Sequence, residues 1–138
     1  MRKFQITATV ILLLTMIMTA NSALLLRDNS IILKEGRPIG SDLYAFAQNI
    51  EIHRLVNGDL AAACQWFTLE GEVTENLYVA CQSIDINGPV GWDMIGFAQD
   101  IRIRNTVGGG FRGACATFYL NDVIDGDVLI AASSVMLG

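Results

Sequence analysis

Apolar positions along the chain recur every seventeen residues. Ile39, Val56, Val73, Val90, Val107 and Ile124 follow one another at that interval without a slip. Whole columns repeat around them: Leu43, Leu60, Leu77, Met94, Phe111 and Val128, then Ile50, Phe67, Ile84, Ile101, Phe118 and Val135, then Ile52, Leu69, Ile86, Ile103, Leu120 and Leu137. A fixed period of this length marks a solenoid, whose repeats bury their apolar sides only against one another. Within a unit the alternation is that of strands, where successive side chains point to opposite faces. In the unit that starts at Val56 the inward set reads Val56, Leu60, Ala62, Cys64, Phe67 and Leu69. The alternation breaks at Asn57-Gly58-Asp59, Gln65-Trp66 and Glu70-Gly71-Glu72, mostly turn-forming composition. Three short faces and three corners in seventeen residues describe one triangular coil of an all-β, parallel β-helix. Six such coils, at about 4.8 Å each, predict a prism roughly 29 Å long.

The units run 39–55, 56–72, 73–89, 90–106, 107–123 and 124–138, the last stopping two residues short of a full coil. The β-helix domain therefore spans 39–138, as a truncated reading of a longer chain or with an open end that serves assembly. Leu24 to Pro38 breaks the period and contains a short strand at Ser30–Leu33, which suits an atypical cap over the first open coil. Residues 1–23 read as a secretory signal. Arg2 and Lys3 precede an apolar run from Ile6 to Met18, and Ala20-Asn21-Ser22 offers small residues for cleavage before Ala23. The alternative is an uncleaved membrane anchor, although thirteen residues fall short of the roughly 20 that a span needs.

Corner columns carry the polar signal. Asp42, Asp59, Asn76, Asp93 and Asp127 share one place in the repeat, interrupted by Gly110. A carboxylate or amide there can accept backbone N–H groups that the bend leaves unpaired. Gln48, Gln65, Gln82 and Gln99 form a second column, suited to an amide ladder along the axis. A calcium-binding reading of the aspartates would need a nine-residue glycine-rich repeat, which is absent here. In the unit 107–123 the run Gly108-Gly109-Gly110 replaces the corner aspartate and the glutamine column ends, so that unit should be the weakest or should carry a different corner.

Charge and chemistry narrow the function. After Ala23 there are seven basic and fourteen acidic residues, 7 − 14 = −7, with no Lys/Arg cluster. A field of that sign disfavours nucleic acid and anionic lipid. Cys64, Cys81 and Cys115 are odd in number and share a column with Ala47, Ala98 and Ala132, which reads as tight packing by small thiols. His53 is the only histidine and lies at an outward place, and Ser83, Ser133 and Ser134 have no matching base. Outward Glu51 and Asp85 sit two coils apart, about 9.6 Å by the coil spacing. That separation approaches the range of an inverting glycosidase pair, but Arg102 lies one coil beyond and no cleft is suggested. No enzyme, cofactor, metal or small-molecule substrate is expected.

One side of the prism is apolar inside and out. Its outward columns hold Tyr44, Tyr78, Ile95 and Leu129, and Phe46 and Phe97 among alanines. A contiguous exposed apolar patch usually marks an interaction site. The competing expectation is that Leu24 to Leu33 folds back over it. Trp66 and Trp92 fall at corners, where they would contact a partner or anchor the cap.

The columns VNGDLAAACQ, SDLYAFAQNIEI and IDGDVLIAASSV resemble bactofilins, the bacterial polymer-forming cytoskeletal proteins, over Ile39 to Gly138. The resemblance implies a right-handed parallel β-helix that assembles end to end into non-polar filaments without nucleotide. It also implies a non-enzymatic scaffold near the envelope. Typical members are cytoplasmic with disordered flanks, whereas this chain starts with an export signal. The expectation is an exported scaffold of the periplasm, cell envelope or extracellular space, self-assembling end to end and laterally, with itself and an envelope or membrane component as partners. The alternative is a cell-surface adhesin or glycan-binding module on the same solenoid.

Overall fold

The computed structural model describes residues 23–138, so the expected signal sequence lies outside the described residues except for Ala23. The described chain holds twelve strands and no helix. They are β1 (Ala23–Arg27), β2 (Ser30–Leu33), β3 (Asp42–Phe46), β4 (Asn49–Ile52), β5 (Leu60–Ala63) and β6 (Trp66–Leu69). The series continues with β7 (Leu77–Ala80), β8 (Ser83–Ile86), β9 (Met94–Phe97), β10 (Asp100–Ile103), β11 (Phe111–Leu120) and β12 (Val128–Leu137). All pairings are parallel; up to β10 odd strands pair with odd and even with even, and the long β11 pairs with β9, β10 and β12. The chain is a parallel β-solenoid of seven stacked turns.

The register is the seventeen-residue period itself. Leu43 pairs with Leu60, Leu60 with Leu77 and Leu77 with Met94 on the first face. Ile50 pairs with Phe67, Phe67 with Ile84 and Ile84 with Ile101 on the second. The third side is thinner than a strand. Each coil contributes one bridging residue, and these are the leaders Ile39, Val56, Val73, Val90, Val107 and Ile124. Because β11 joins both faces, the two ladders form one continuous sheet.

The inward columns form the core. Leu60, Phe67, Leu69, Leu77, Ile84, Ile86, Met94, Ile101 and Ile103 are all essentially inaccessible to solvent. Phe111 and Phe118 meet inside the coil 107–123 with ring centroids 5.0 Å apart, within the range of favourable aromatic pairs. At the neighbouring inward place stand Gly96 and Gly113, and a Cβ at Gly113 would run into the Gly96 carbonyl oxygen and crowd the Phe111 ring. Small residues at that place leave room for large ones beside them.

Three expectations are corrected. Residues 24–38 are a turn of the solenoid, with a cap's place at its end but a coil's structure. β1 pairs with β3 and β2 with β4 at an offset of nineteen, as in Leu24 with Leu43 and Ile31 with Ile50. The two extra residues lie between Leu33 and Ile39, since Leu33 pairs with Ile52 (52 − 33 = 19) and Ile39 with Val56 (56 − 39 = 17). The segment thus extends the prism and does not fold over its outer face. Two of the three cysteines are bonded: Cys64 and Cys81 form a disulfide across adjacent coils, leaving Cys115 free. Their Cα atoms are 4.9 Å apart, inside the range a disulfide can bridge, so the column that stacks them also places them in bonding reach. The altered corner of unit 107–123 is real but sits where Ala116 replaces glutamine. There β11 runs unbroken through Cys115-Ala116, whereas Ala98-Gln99 separates β9 from β10. The Gly108–Gly110 bend keeps the form of the other coils.

Two stability outcomes follow. Phe67→Ala should lower unfolding stability by about 3–5 kcal/mol, because a large interior side chain is lost between two close-packed layers. Reduction of the Cys64–Cys81 bridge, which closes a loop of separation 17, should cost about 3 kcal/mol. Both are measured by urea titration, the second with and without reductant.

Candidate functional site

Outward residues of β3, β5, β7 and β9 make the apolar side, and strand alternation fixes which they are. Leu43, Leu60, Leu77 and Met94 point in and are buried, so their neighbours point out. Tyr44 and Tyr78 are 39% exposed, Phe46 44% and Phe97 53%. Ile95 is half-buried and Leu129 exposed. All six expected face residues therefore lie on one side of the prism, joined by Leu25, which pairs with Tyr44.

The relief of this side is set by its columns. Phe46, Ala63, Ala80 and Phe97 stack in register, as do Tyr44, Ala61, Tyr78 and Ile95. Two phenylalanines three layers apart thus flank an alanine floor, producing a shallow trough of about 260 Å³ lined also by Tyr78 and Ile95. Burial of its ring, followed by the Asp59 and Asp93 carboxylates and Tyr44, holds the Tyr78 phenol above its ordinary range. The phenol is therefore a neutral hydrogen-bonding group at the trough edge. Trp92 and Trp66 are exposed at the two edges of this side, before β9 and after β5. They do not meet each other or anchor the first coil, since each sits in its own layer of the register.

The corner column is a one-directional ladder. Asp42 Oδ1 accepts the Asp59 N–H at 2.8 Å, and Asp59 Oδ1 accepts the Asn76 N–H at 2.8 Å. Asn76 Oδ1 accepts the Asp93 N–H at 3.0 Å, and Asp93 Oδ1 the Gly110 N–H at 2.8 Å. Gly110 has no side chain to offer, so Asp127 holds the same column place without receiving such a bond. The glutamine ladder runs from Gln48 to Gln65 and from Gln65 to Gln82, each amide bond 3.1 Å. Gln99 joins through its backbone N–H to the Gln82 carbonyl at 2.9 Å. Asp42, Asp59 and Glu75 bring carboxylate oxygens within 4.8 Å of one another, but the first two already accept backbone N–H groups.

The second face is polar and internally paired. His53 lies 2.6 Å from Glu51, so the outward histidine has a carboxylate partner two residues away. Arg104 reaches Asp85 at 3.2 Å and Asn87 at 3.2 Å, and Arg102 approaches Asp85 at 3.8 Å. Asn87 in turn donates to Glu70. Glu51 and Asp85 are each engaged by a cationic or imidazole neighbour, and they stand two coils apart on the sheet face.

Cys115 is half-buried in the column of the disulfide, with Ala98 between it and Cys81. Burial, and then the Asp100 carboxylate, push its thiol above the ordinary range. No family model, curated protein or solved structure matches this chain.

Asp59→Ala should destabilise the fold by roughly 1–2 kcal/mol in urea titration, since it strips the acceptor from the Asn76 N–H, whereas Asp59→Asn should retain most of the stability. Alkylation of Cys115 should be slow at neutral pH, because the reactive thiolate is suppressed. Asp100→Asn should shift the alkylation profile to lower pH; an unmoved profile would remove Asp100 as a cause.

Proposed function

We propose that the protein is a non-enzymatic structural scaffold of the cell envelope that associates with itself. The observation that carries this reading is the apolar outer side of a rigid prism, where aromatic residues stand over alanine in fixed register. Contiguous apolar surface of this kind serves association, and a solenoid held by parallel pairing throughout presents it without rearrangement. The bactofilin resemblance of the columns adds end-to-end assembly without nucleotide.

The proposed site of the scaffold is the periplasm, the envelope or the outside of the cell, a reading supported by the signal-like sequence before Ala23. The second reading, a surface adhesin or glycan-binding module, draws on exposed Trp66 and Trp92, since aromatic planes are common contact residues at binding surfaces.

The two readings separate by light scattering and electron microscopy on the exported protein. A scaffold gives filaments or large oligomers; a persistent monomer at high concentration favours the binding module. Phe46→Glu with Phe97→Glu should abolish lateral bundling while the urea midpoint stays within about 0.5 kcal/mol of wild type, as exposed substitutions do. Bundles that survive the double substitution would refute the apolar side as the contact.

A further inference from the structure

We propose that Asn57 is a site of spontaneous chemical modification. At the Asn57-Gly58 bond the side-chain amide closes to a succinimide, which opens to aspartate and isoaspartate. The Asn87-Gly88 bond, alike in composition, is held unreactive by the fold. These two are the Asn-Gly pairs of the chain. Asparagine before glycine is the pair most prone to this reaction, since no side chain hinders the approach of the glycine nitrogen to the amide carbon. What the sequence leaves equal, the structure makes different. Self-association plays no part in it.

The Asn87-Gly88 pair is tied down on every side. The Gly88 N–H donates to the Leu69 carbonyl at 3.0 Å, and the Asn87 N–H donates to the same oxygen at 2.8 Å. The Asn87 side chain is held at both ends: Nδ2 donates to Glu70 at 2.9 Å, and Oδ1 accepts from Arg104 at 3.2 Å. For the ring to close, the Gly88 nitrogen would have to leave Leu69 and the amide turn away from both partners. Each bond given up adds to the barrier.

Gly58 stands in a column whose later members are all bonded to the coil before. Glu75 donates its N–H to the Gly58 carbonyl, Trp92 to that of Glu75, Gly109 to that of Trp92 and Gly126 to that of Gly109, at 2.7–3.3 Å. The corresponding bond from Gly58 to Ser41 is missing, and among the described residues the Gly58 N–H has no acceptor. Gly58 is also the one described glycine with positive φ, so this corner departs from the later ones in its backbone as well. Asn57 is exposed and tied through its backbone N–H to Ile39. Its side chain has a single partner, the Thr74 hydroxyl, which donates to Oδ1 at 3.2 Å. Nucleophile and amide are thus both freer than at Asn87.

In the reaction the Gly58 nitrogen attacks Asn57 Cγ. The new C–N bond forms as the Cγ–Nδ2 bond breaks, and Nδ2 leaves as ammonia with the proton from the Gly58 N–H. Water then adds to one of the two ring carbonyls. Opening at Cγ gives aspartate; opening at the backbone carbon gives isoaspartate, whose main chain runs through Cβ and Cγ and is longer by an atom. Either product adds a carboxylate to the corner of Asp42, Asp59 and Glu75, whose carboxylate oxygens already lie within 4.8 Å of one another. The longer main chain also displaces the Asp59 N–H, which Asp42 Oδ1 accepts at 2.8 Å. The isoaspartyl molecule is therefore loosened at this corner.

The test follows both pairs by peptide mass mapping of the folded exported protein held at mildly alkaline pH, where the amide nitrogen attacks fastest. Conversion at Asn57 should run at least about tenfold faster than at Asn87, which must first give up several bonds. In urea, where both pairs lose their partners, the two should convert at comparable rates. Thr74→Val, which removes the hydroxyl from Asn57 Oδ1, should raise the rate at Asn57 alone. The acidic fraction isolated by ion exchange, which holds both products, should unfold at lower urea than Asn57→Asp, a variant with the charge and the ordinary main chain. Asn57 intact in the folded protein after the urea-treated chain has converted overturns the assignment. Conversion of both pairs at one rate under native conditions overturns it too. An acidic fraction as stable as Asn57→Asp overturns the loosening of the corner.

Discussion

Parallel pairing at a constant offset is the constraint on which the rest of the structure depends. Once residue i pairs with i + 17, every side chain stands over its own equivalent, and each column must tolerate stacking on itself at strand spacing. Leucine, isoleucine, valine and phenylalanine meet that demand inside, where like packs on like without water. Outside, the same rule selects groups that bond to their own kind: aspartate to the next N–H, glutamine to glutamine. The backbone obeys it as well. A Cβ at Gly71 would strike the Arg54 carbonyl oxygen, and one at Gly88 would strike that of Gly71, so glycine recurs where coils approach closest.

The two strand-bearing sides answer this constraint in opposite ways, and that divides their roles. The second face carries charges of both signs in successive layers near its later coils, so Arg104 finds Asp85, and Asn87 finds Glu70. Its polar groups are turned toward each other along the axis and leave little unspent for a ligand. The first face stacks aromatic and methyl groups that no other described segment covers. What such groups gain is removal from water, and it is on this that the proposed self-association rests.

Much of this was legible in the sequence because a solenoid writes its geometry into one period. The columns assigned inward from Leu60, Phe67 and Leu69 are buried, and the corner aspartates accept backbone N–H groups as their place suggested. What the fixed period concealed were departures from it. The first coil was hidden by two added residues between Leu33 and Ile39, although Leu24, Leu26 and Ile31 carry the same in–out alternation. The Cys64–Cys81 bond was missed because an odd cysteine count argued against pairing, while a shared column argued for it. The continuity of β11 falls at Cys115-Ala116, where the glutamine column ends, although the backbone bonds of that corner are those of its neighbours. The relief of the apolar side was visible as residue types, but its trough needed the layers in three dimensions.

The aspartate ladder points one way along the axis: each acceptor belongs to the earlier coil and each N–H to the later. During synthesis the earlier coil leaves the ribosome first, already holding the oxygen that its successor requires. The nascent chain can therefore wind in the order it is made, every finished layer acting as template for the one still emerging, as expected of a one-dimensional fold. A circularly permuted gene would interrupt this order at one junction alone, where the N–H of the coil made first would wait for the carboxylate of the coil made last.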